Sequence, residues 1–521
     1  MKKTFKFIGK VLFALLFAAA TYLLVGVLWP LDVAQPNPQA QRLLITNVTI
    51  IDVETGKLNV GHNILIENGV IAATGPDVGL DASAGGAQVI DAAGRYVIPG
   101  MFDMHTHGFK MSPALTHPLY VASGVTAVRD MGGCLDRDDS WAACAADKKR
   151  WNSAVADGTL VGPRYDQVTS LAMNGGQAIP SGFDINLGGA TPDGARARVA
   201  ADSARGIDFL KTYTNLPRDS YMALAEAARG ADMYLAGHLP FAVSGIDAAA
   251  AGQRSFEHAL VFVFECYPGF DALRDSPNFF AGYTNELRLK MIAEHDPERC
   301  NALFQAMTRA GTAFVPTHTT RKLDAYALDA AYRSDARLKY IPSPLRTMWL
   351  QDADGMAKRA GEGGGAASYK AIFEFGLRQT GAAHRAGVTV MAGTDAPDSF
   401  AFPGLGLADE LEHLSLAGLS NIDILRAATL EPARFLGLEN SAGVIIAGAR
   451  ADIVLLNSNP LDDISATADI DAVVLAGVYY GREDLDQMLA SVEASANSWS
   501  MWPKFAWQIL ASPIMRKQFA D

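Results

Sequence analysis

The chain has 521 residues, 49% of them hydrophobic and 19% charged, enough for one large domain with a full core plus smaller elements. Its net charge of -12 at pH 7, with no basic tract after the first ten residues, argues against a nucleic-acid partner, which would need a cationic face.

Lys2, Lys3, Lys6 and Lys10 precede a charge-free run from Val11 to Leu31, long enough to span a bilayer. Tyr22 and Trp29 suit its outer interface. The basic flank comes first, so the positive-inside bias places the rest of the chain on the periplasmic or extracytoplasmic side. A cleaved signal peptide competes. It would have a shorter apolar core and a small-residue cleavage site, whereas this run ends in Trp29-Pro30-Leu31-Asp32. Residues 1–34 are therefore read as a single-pass membrane anchor in preference to a signal segment, followed by a stiff polar linker from Gln35 to Gln41. Cys134, Cys144, Cys266 and Cys300 show no zinc-ligand spacing. They read either as buried small hydrophobes or as two local disulfides, Cys134–Cys144 and Cys266–Cys300, which require an oxidising compartment.

From 42 to 98, β-branched runs alternate with Gly and Asp turns. A matching β segment returns over 441–482, so the two chain ends are expected to pair into one small β-sandwich. Between them, over 99–440, eight strand-like segments alternate with Ala-rich helical ones. They are GMFDMHTH, GVTAVRDM, RYDQVTS, GIDFLKTY, MYLAGH, SFEHA, TAFVPTHT and VTVMAGTD. This pattern predicts an α/β fold, a (β/α)8 TIM-type barrel. The alternative, a doubly wound open sheet, lacks its glycine-rich fingerprint. Two long insertions, Phe262–Cys300 and Arg321 to about Gln379, are read as βα loops above the barrel, of the kind that act as lids. The second contains the glycine-rich stretch Gly361–Ser368. The tail 483–521 is helical and aromatic, with Trp499, Trp502, Phe505 and Trp507. It can pack on the barrel, cover a dimer contact in a homo-oligomer, or lie on the membrane. Aromatic stripes mostly mean core, so packing is expected.

In the segment MFDMHTHG, strand alternation points His105 and His107 the same way, with Asp103 on their face, positioned to orient a ligand imidazole. Two neutral imidazoles at this spacing suit a transition metal. Lys211 sits in a mostly apolar strand, where an ammonium is costly. His238, His258 and Asp395 end three further strands, at the barrel face where such folds place chemistry. One of these residues alone means little; their agreement in position and order points to a site.

The pieces VIPGMFDMHTHG, GVTAVRDMGG, GIDFLKTY, AGH, FEH, AGTDAP, LAGLSNIDILRAATLEPARFLGL and AGARADIVLLNSNPLDDI make the chain resemble the amidohydrolase superfamily, near imidazolonepropionase and the metal-dependent prolidases. The resemblance implies a barrel beside a β-sandwich and two divalent metal ions, with zinc expected and manganese, cobalt or iron also suited to N/O ligands. It implies that His105, His107 and Asp395 hold one ion and that His238 and His258 hold the other. Lys211, carboxylated by carbon dioxide to a carbamate, would bridge them. A metal-bridging hydroxide would then attack the substrate while Asp395 carries its proton to the leaving amine. Imidazolonepropionase proper lacks the lysine bridge, so Lys211 favours the prolidase side. Gln177 stands where many relatives carry histidine, and His318 where they carry an apolar residue. Both, with Tyr213 beside Lys211, are candidate substrate contacts, although a core role for His318 weighs more. His413 reads as structural.

The expected activity is hydrolysis of an amide C–N bond in a small peptide or N-acyl amino acid, as in a dipeptidase. The alternatives are hydrolysis of a cyclic amide, lactone or phosphoester, or a single-metal deamination, against which Lys211 counts. A non-catalytic binding protein on a decayed barrel would have lost ligands that are all present here.

Overall fold

In a computed structural model describing residues 2–79, 86–134, 139–175, 189–274 and 282–518, six parallel strands surround a common axis. They are Met101–Thr106, Val125–Asp130, Phe209–Thr212, Tyr234–Gly237, Gln253–Glu257 and Ala313–Val315. Residues 164–173 and 390–396 fill the third and eighth places. They do so through single parallel bridges, Ala127 to Arg164, Thr169 to Phe209, Met173 to Thr212, Phe314 to Val390 and Thr106 to Ala396, and these close the ring. The sequence leads one to expect regular strands at both places. Backbone bonds such as Met173 N to the Lys211 carbonyl and Asp395 N to the His105 carbonyl persist, and side chains supplement them. Val168 N donates to the Asp208 carboxylate, Thr169 Oγ1 donates to the Phe209 carbonyl, and Thr394 N donates to Asp103.

Helices cover the outside, each burying one stripe. Arg218–Gly230 buries Tyr221, Leu224, Ala225 and Ala228. Each large side chain removed from water in this way contributes roughly 2 kcal/mol.

The N- and C-terminal β segments form one sheet. Tyr96–Pro99 pairs antiparallel with Ile453–Leu456 on one side and parallel with Arg42–Ile51 on the other. Strand alternation gives the sheet two faces. Ile98, Val454 and Leu456 join the barrel's core, while Val97, Ile453 and Leu455 join a second core with Ile45, Ile64 and Val474. The expected two-layer sandwich is thus a single curled sheet. Its edge strand Val70–Gly75 returns to 448–451, where Ile71 N donates to the Ala449 carbonyl.

The second long insertion is not an open loop. Residues 318–385 are largely helical, with Ser343–Gly361 and Gly365–Arg385 as the longest elements. The glycine-rich stretch is the turn between them, where Gly364 adopts φ 81°. Both cysteine pairs, Cys134–Cys144 and Cys266–Cys300, are bonded.

The helix Lys2–Leu28 meets the fold near its C-terminal end, where Lys504 Nζ donates to the Val27 carbonyl. Its segment Phe7–Leu28 is long and apolar enough to cross a membrane, a property that a signal sequence shares. The aromatic tail departs from the expectation of core packing. In the helix Met501–Ala511, Met501, Pro503 and Phe505 are buried, while Trp499, Trp502 and Trp507 are 43%, 51% and 44% exposed.

Candidate metal centre

His105 lies on the first strand and His107 just past its end, Lys211 on the fourth, His238 and His258 just past the ends of the fifth and sixth, and Asp395 on the eighth-place segment. All lie at the barrel's C-terminal face. Asp395 Oδ1 lies 3.2 Å from His105 Nε2 and 2.9 Å from His107 Nε2. Lys211 Nζ lies 3.3 and 3.5 Å from the same two nitrogens. The His258 ring is 4.9 Å from that of His105 and 4.4 Å from that of His238, and His258 Nδ1 is 3.7 Å from Asp395 Oδ2. All six side chains that the sequence groups therefore meet in space.

The backbone is bent to achieve this. His258 (φ 70°), Thr317 (φ 46°) and Asp395 (φ 65°) are left-handed although none is glycine. Such conformations cost about 1–3 kcal/mol each and persist where the surroundings enforce them. Gly237, with φ 122°, lets the fifth strand pass the fourth. A Cβ there would lie 2.6 Å from the Thr212 carbonyl oxygen and 3.0 Å from Lys211 Cγ. Gly237→Ala is expected to displace Lys211 and His238 together and to lower metal content and activity by roughly tenfold or more. Elemental analysis and kcat of the purified variant check this.

Three of the four imidazoles are held through Nδ1. His105 Nδ1 donates to Glu257 Oε2 at 2.9 Å. His238 Nδ1 shares a hydrogen bond with Thr214 Oγ1 at 3.1 Å, and His258 Nδ1 shares one with Thr317 Oγ1 at 2.8 Å. The Nε2 atoms are thereby left facing the centre, as metal ligation by histidine requires. Burial would raise Glu257, but Arg129 and His105 outweigh it and hold the carboxyl at about 2. Arg129 Nη2 donates to Glu257 at 2.7 Å and Nη1 to Ser255 at 2.9 Å. Asp103 accepts from Thr394 N and Oγ1 and from the His105 backbone, so it ties the first strand to the eighth-place segment. Glu257 performs the imidazole-orienting role that the sequence suggests for Asp103.

Burial pushes Lys211 down, favouring the neutral amine. It also pushes His238 to about 3 and His258 well below its ordinary value. Burial would raise Asp395, but the charge and hydrogen bond of His105 and the hydrogen bond of His107 hold it well below the usual range. Burial would lower His105, but Asp395 and Glu257 shift it the other way, upward, while burial holds His238 and His258 in their neutral, donor form. His258 Nε2 is buried with no hydrogen-bond partner. His105, His107 and Asp395 place one donor atom each within 4.8 Å of one another. A donor set of this kind fits divalent transition metals.

The site opens into a cavity of about 690 Å³. Tyr213 lines it, its ring 4.3 Å from that of His238. Gln177 lies outside the described residues. Two lining groups that the sequence reading passed over are Arg321 and Asp398. Burial and the nearby Asp395 push Asp398 up to about 6, and Arg321 Nη1 bonds Asp324 Oδ2 at 2.5 Å. Position alone, three residues after Asp395, was the available signal for Asp398.

His318 does not line the cavity, contrary to the expectation that it contacts substrate. It is fully buried, its Nε2 lies 3.0 Å from Thr380 Oγ1, and its ring packs near Phe373 and His413. Burial pushes His318 down to about 4 and His117 to about 3. Both enter the fold neutral and regain values near 6.5 on unfolding, so the unfolded chain binds more protons between those limits. Stability is expected to be fully present above about pH 6.5 and to fall as pH drops toward 4. His318 accounts for about 3 kcal/mol of the loss. Denaturant unfolding of wild type and His318→Gln across this range checks it, and identical slopes would contradict it.

Residues 372–479 match the family model described as "Amidohydrolase family". A dihydroorotase from Trichlorobacter lovleyi is 35% identical over 85 residues, 16% of this chain and 19% of that protein. An adenine deaminase from Ruegeria pomeroyi is 43% identical over 65 residues, 12% of this chain and 11% of that protein. The chain thus matches only about a fifth of the length of such curated relatives. Among solved structures, bottromycin amidohydrolase is similar with TM-score 0.68 and 22% identity, covering 88% of this chain and 91% of that one. A putative prolidase from Bifidobacterium longum gives 0.60 and 23%, covering 87% and 100%. These likenesses show a shared barrel fold.

Proposed function

We propose, from the match to the amidohydrolase family model and the shared barrel fold, that the chain is a metal-dependent hydrolase of the amidohydrolase superfamily cleaving an amide C–N bond in a small peptide or N-acyl amino acid. The observation that carries this reading is the meeting of His105, His107, Lys211, His238, His258 and Asp395 at the floor of one cavity. His105, His107 and Asp395 would hold one divalent ion and His238 and His258 the other. Zinc is expected, and such ions supply Lewis acidity and an acidified water at neutral pH.

Lys211 is poised to join the two sets. A carbamate made from the Lys211 amine and carbon dioxide, with an N–C bond formed and one proton released, would offer oxygens where an ammonium would repel cations. Asp395 is ionised, and its Oδ2 is engaged only weakly, 3.7 Å from His258 Nδ1. That oxygen can take a proton from the attacking water and deliver it to the departing amine. Glu257, locked by Arg129, fixes the His105 ring. Lys211 and Arg321 are the cations lining the cavity among the described residues. With Lys211 committed to the centre, Arg321 is placed to receive a substrate carboxylate. The apolar wall, including Phe241, Phe264 and Phe270, suits the acyl or side-chain portion and keeps water out.

The same reading makes Phe7–Leu28 an uncleaved anchor with the catalytic domain outside the cytoplasm, where the two disulfides would persist. Purified protein is expected to carry close to two transition-metal ions per chain, to lose activity with chelators, and to turn over members of a dipeptide and N-acyl amino-acid library. Full activity in a rigorously metal-free preparation would contradict the proposal.

A further inference from the structure

We propose that the C-terminal helix Met501–Ala511 is a membrane-surface helix whose tryptophan face lies in the headgroup layer of a lipid bilayer, beside the point where the N-terminal helix leaves it. The helix has two faces. Met501, Pro503 and Phe505 are buried against the fold, with Phe505 edge-on to Trp141 at 5.8 Å. Trp502, Trp507 and Leu510 are exposed on the helix, Leu510 by 60%, and Trp499 is 43% exposed in the turn just before it. Trp507 and Leu510, three residues apart, lie on one side of the helix. Exposed indoles are costly in water and favoured at a bilayer interface, where the ring is apolar and the N–H stays wet.

Independent observations fix the level of this face. The N-terminal helix touches the fold only near its C-terminal end. Tyr22 and Trp29 pack on Trp499 at 5.6 and 5.4 Å. A Cβ on Gly26 would stand 2.4 Å from Pro503 Cγ, so the glycine is what lets the two helices meet. Lys504 Nζ donates to the Val27 carbonyl at 2.8 Å, satisfying a carbonyl of the helix's last turn. The rest of the helix is bare, with 6% of its most apolar window buried. Its 22 residues from Phe7 to Leu28 rise about 33 Å, one bilayer core. The tryptophans therefore sit where that span ends. No acidic residue occurs between Met501 and Gln518, although the chain carries net charge -12. A surface without acids suits lipid headgroups, including anionic ones.

The inference rests on reading Phe7–Leu28 as a span, and the test separates the two. Nitroxide labels are placed on the full chain at Trp507→Cys, Leu510→Cys, Leu16→Cys and the remote exposed Leu416→Cys, and the protein is reconstituted into phosphatidylcholine vesicles containing phosphatidylglycerol. The native cysteines, being paired, do not react. At 507 and 510 the label is expected to collide severalfold more with lipid-soluble oxygen than with a water-soluble nickel chelate, relative to Leu416→Cys. Lipid-like behaviour at 16 with water-like behaviour at 507 and 510 overturns the inference and leaves the span standing. Lipid-like behaviour at 507 and 510 with water-like behaviour at 16 upholds the inference and removes the span. Water-like behaviour at all four positions overturns both.

Discussion

Replacing Asp395 by Ala is expected to lower kcat by roughly 10³- to 10⁴-fold while leaving the fold intact, the scale of losing a positioned proton carrier. The carboxylate does two things at once. Its Oδ1 lies within 3.2 Å of both His105 and His107 Nε2, so a ligand oxygen is lost. On the proposed reading its Oδ2 carries the proton, so the leaving amine would go unprotonated. Asp395→Asn separates the roles. The amide keeps an oxygen of the same shape but cannot take the proton, so metal content should fall less than in Asp395→Ala while kcat falls about as far. Metal analysis beside single-turnover rates checks the pair. Near-normal turnover in Asp395→Asn would remove the proton-carrier assignment.

Lys211→Ala is expected to lose the paired metal site and nearly all activity, and a short carboxylic acid should restore part of both. The reason is steric and electrostatic together. Lys211 is 4% exposed and faces two imidazole nitrogens, so its removal empties a space that a small carboxylate can enter, carrying two oxygens. Lys211→Arg keeps a permanent cation in that space and should not respond to the acid. If Lys211→Ala turns over normally, the lysine is no bridge, and a single-metal reading, with cyclic amides or deamination as its reactions, takes its place.

The His-x-His pair is legible in the sequence because strand alternation is local: two residues apart on one strand must point the same way. His238, His258, Lys211 and Asp395 are legible because each closes a strand-like segment before a helical one. Glu257 is not legible in this way. Its effect depends on Arg129 from another strand and on the His105 ring, and sequence spacing is silent about neighbours 128 and 152 residues away. His318 misleads for a local reason. TAFVPTHT reads as one strand, but the strand ends at Val315, Thr317 turns left-handed, and His318 opens a helix facing Glu410 and Thr380. The 318–385 helices are obscured by Gly361–Ser368, whose composition reads as an open loop but serves as a tight turn.

The curled sheet has a consequence for how the chain is made. Tyr96–Pro99 lies between strands from opposite ends of the polypeptide, and Asn37 reaches the Tyr479 carbonyl across 442 residues. Until synthesis reaches Ile453–Leu456, the N-terminal half of the sheet carries an unpaired strand edge, a template for pairing with other chains. The barrel can close before that edge is covered, since its strands lie wholly between the two halves. Contacts of such long range are slow to form. A nascent chain held at its N-terminus in a bilayer would keep that open edge apart from its neighbours while the closing strands are still to come.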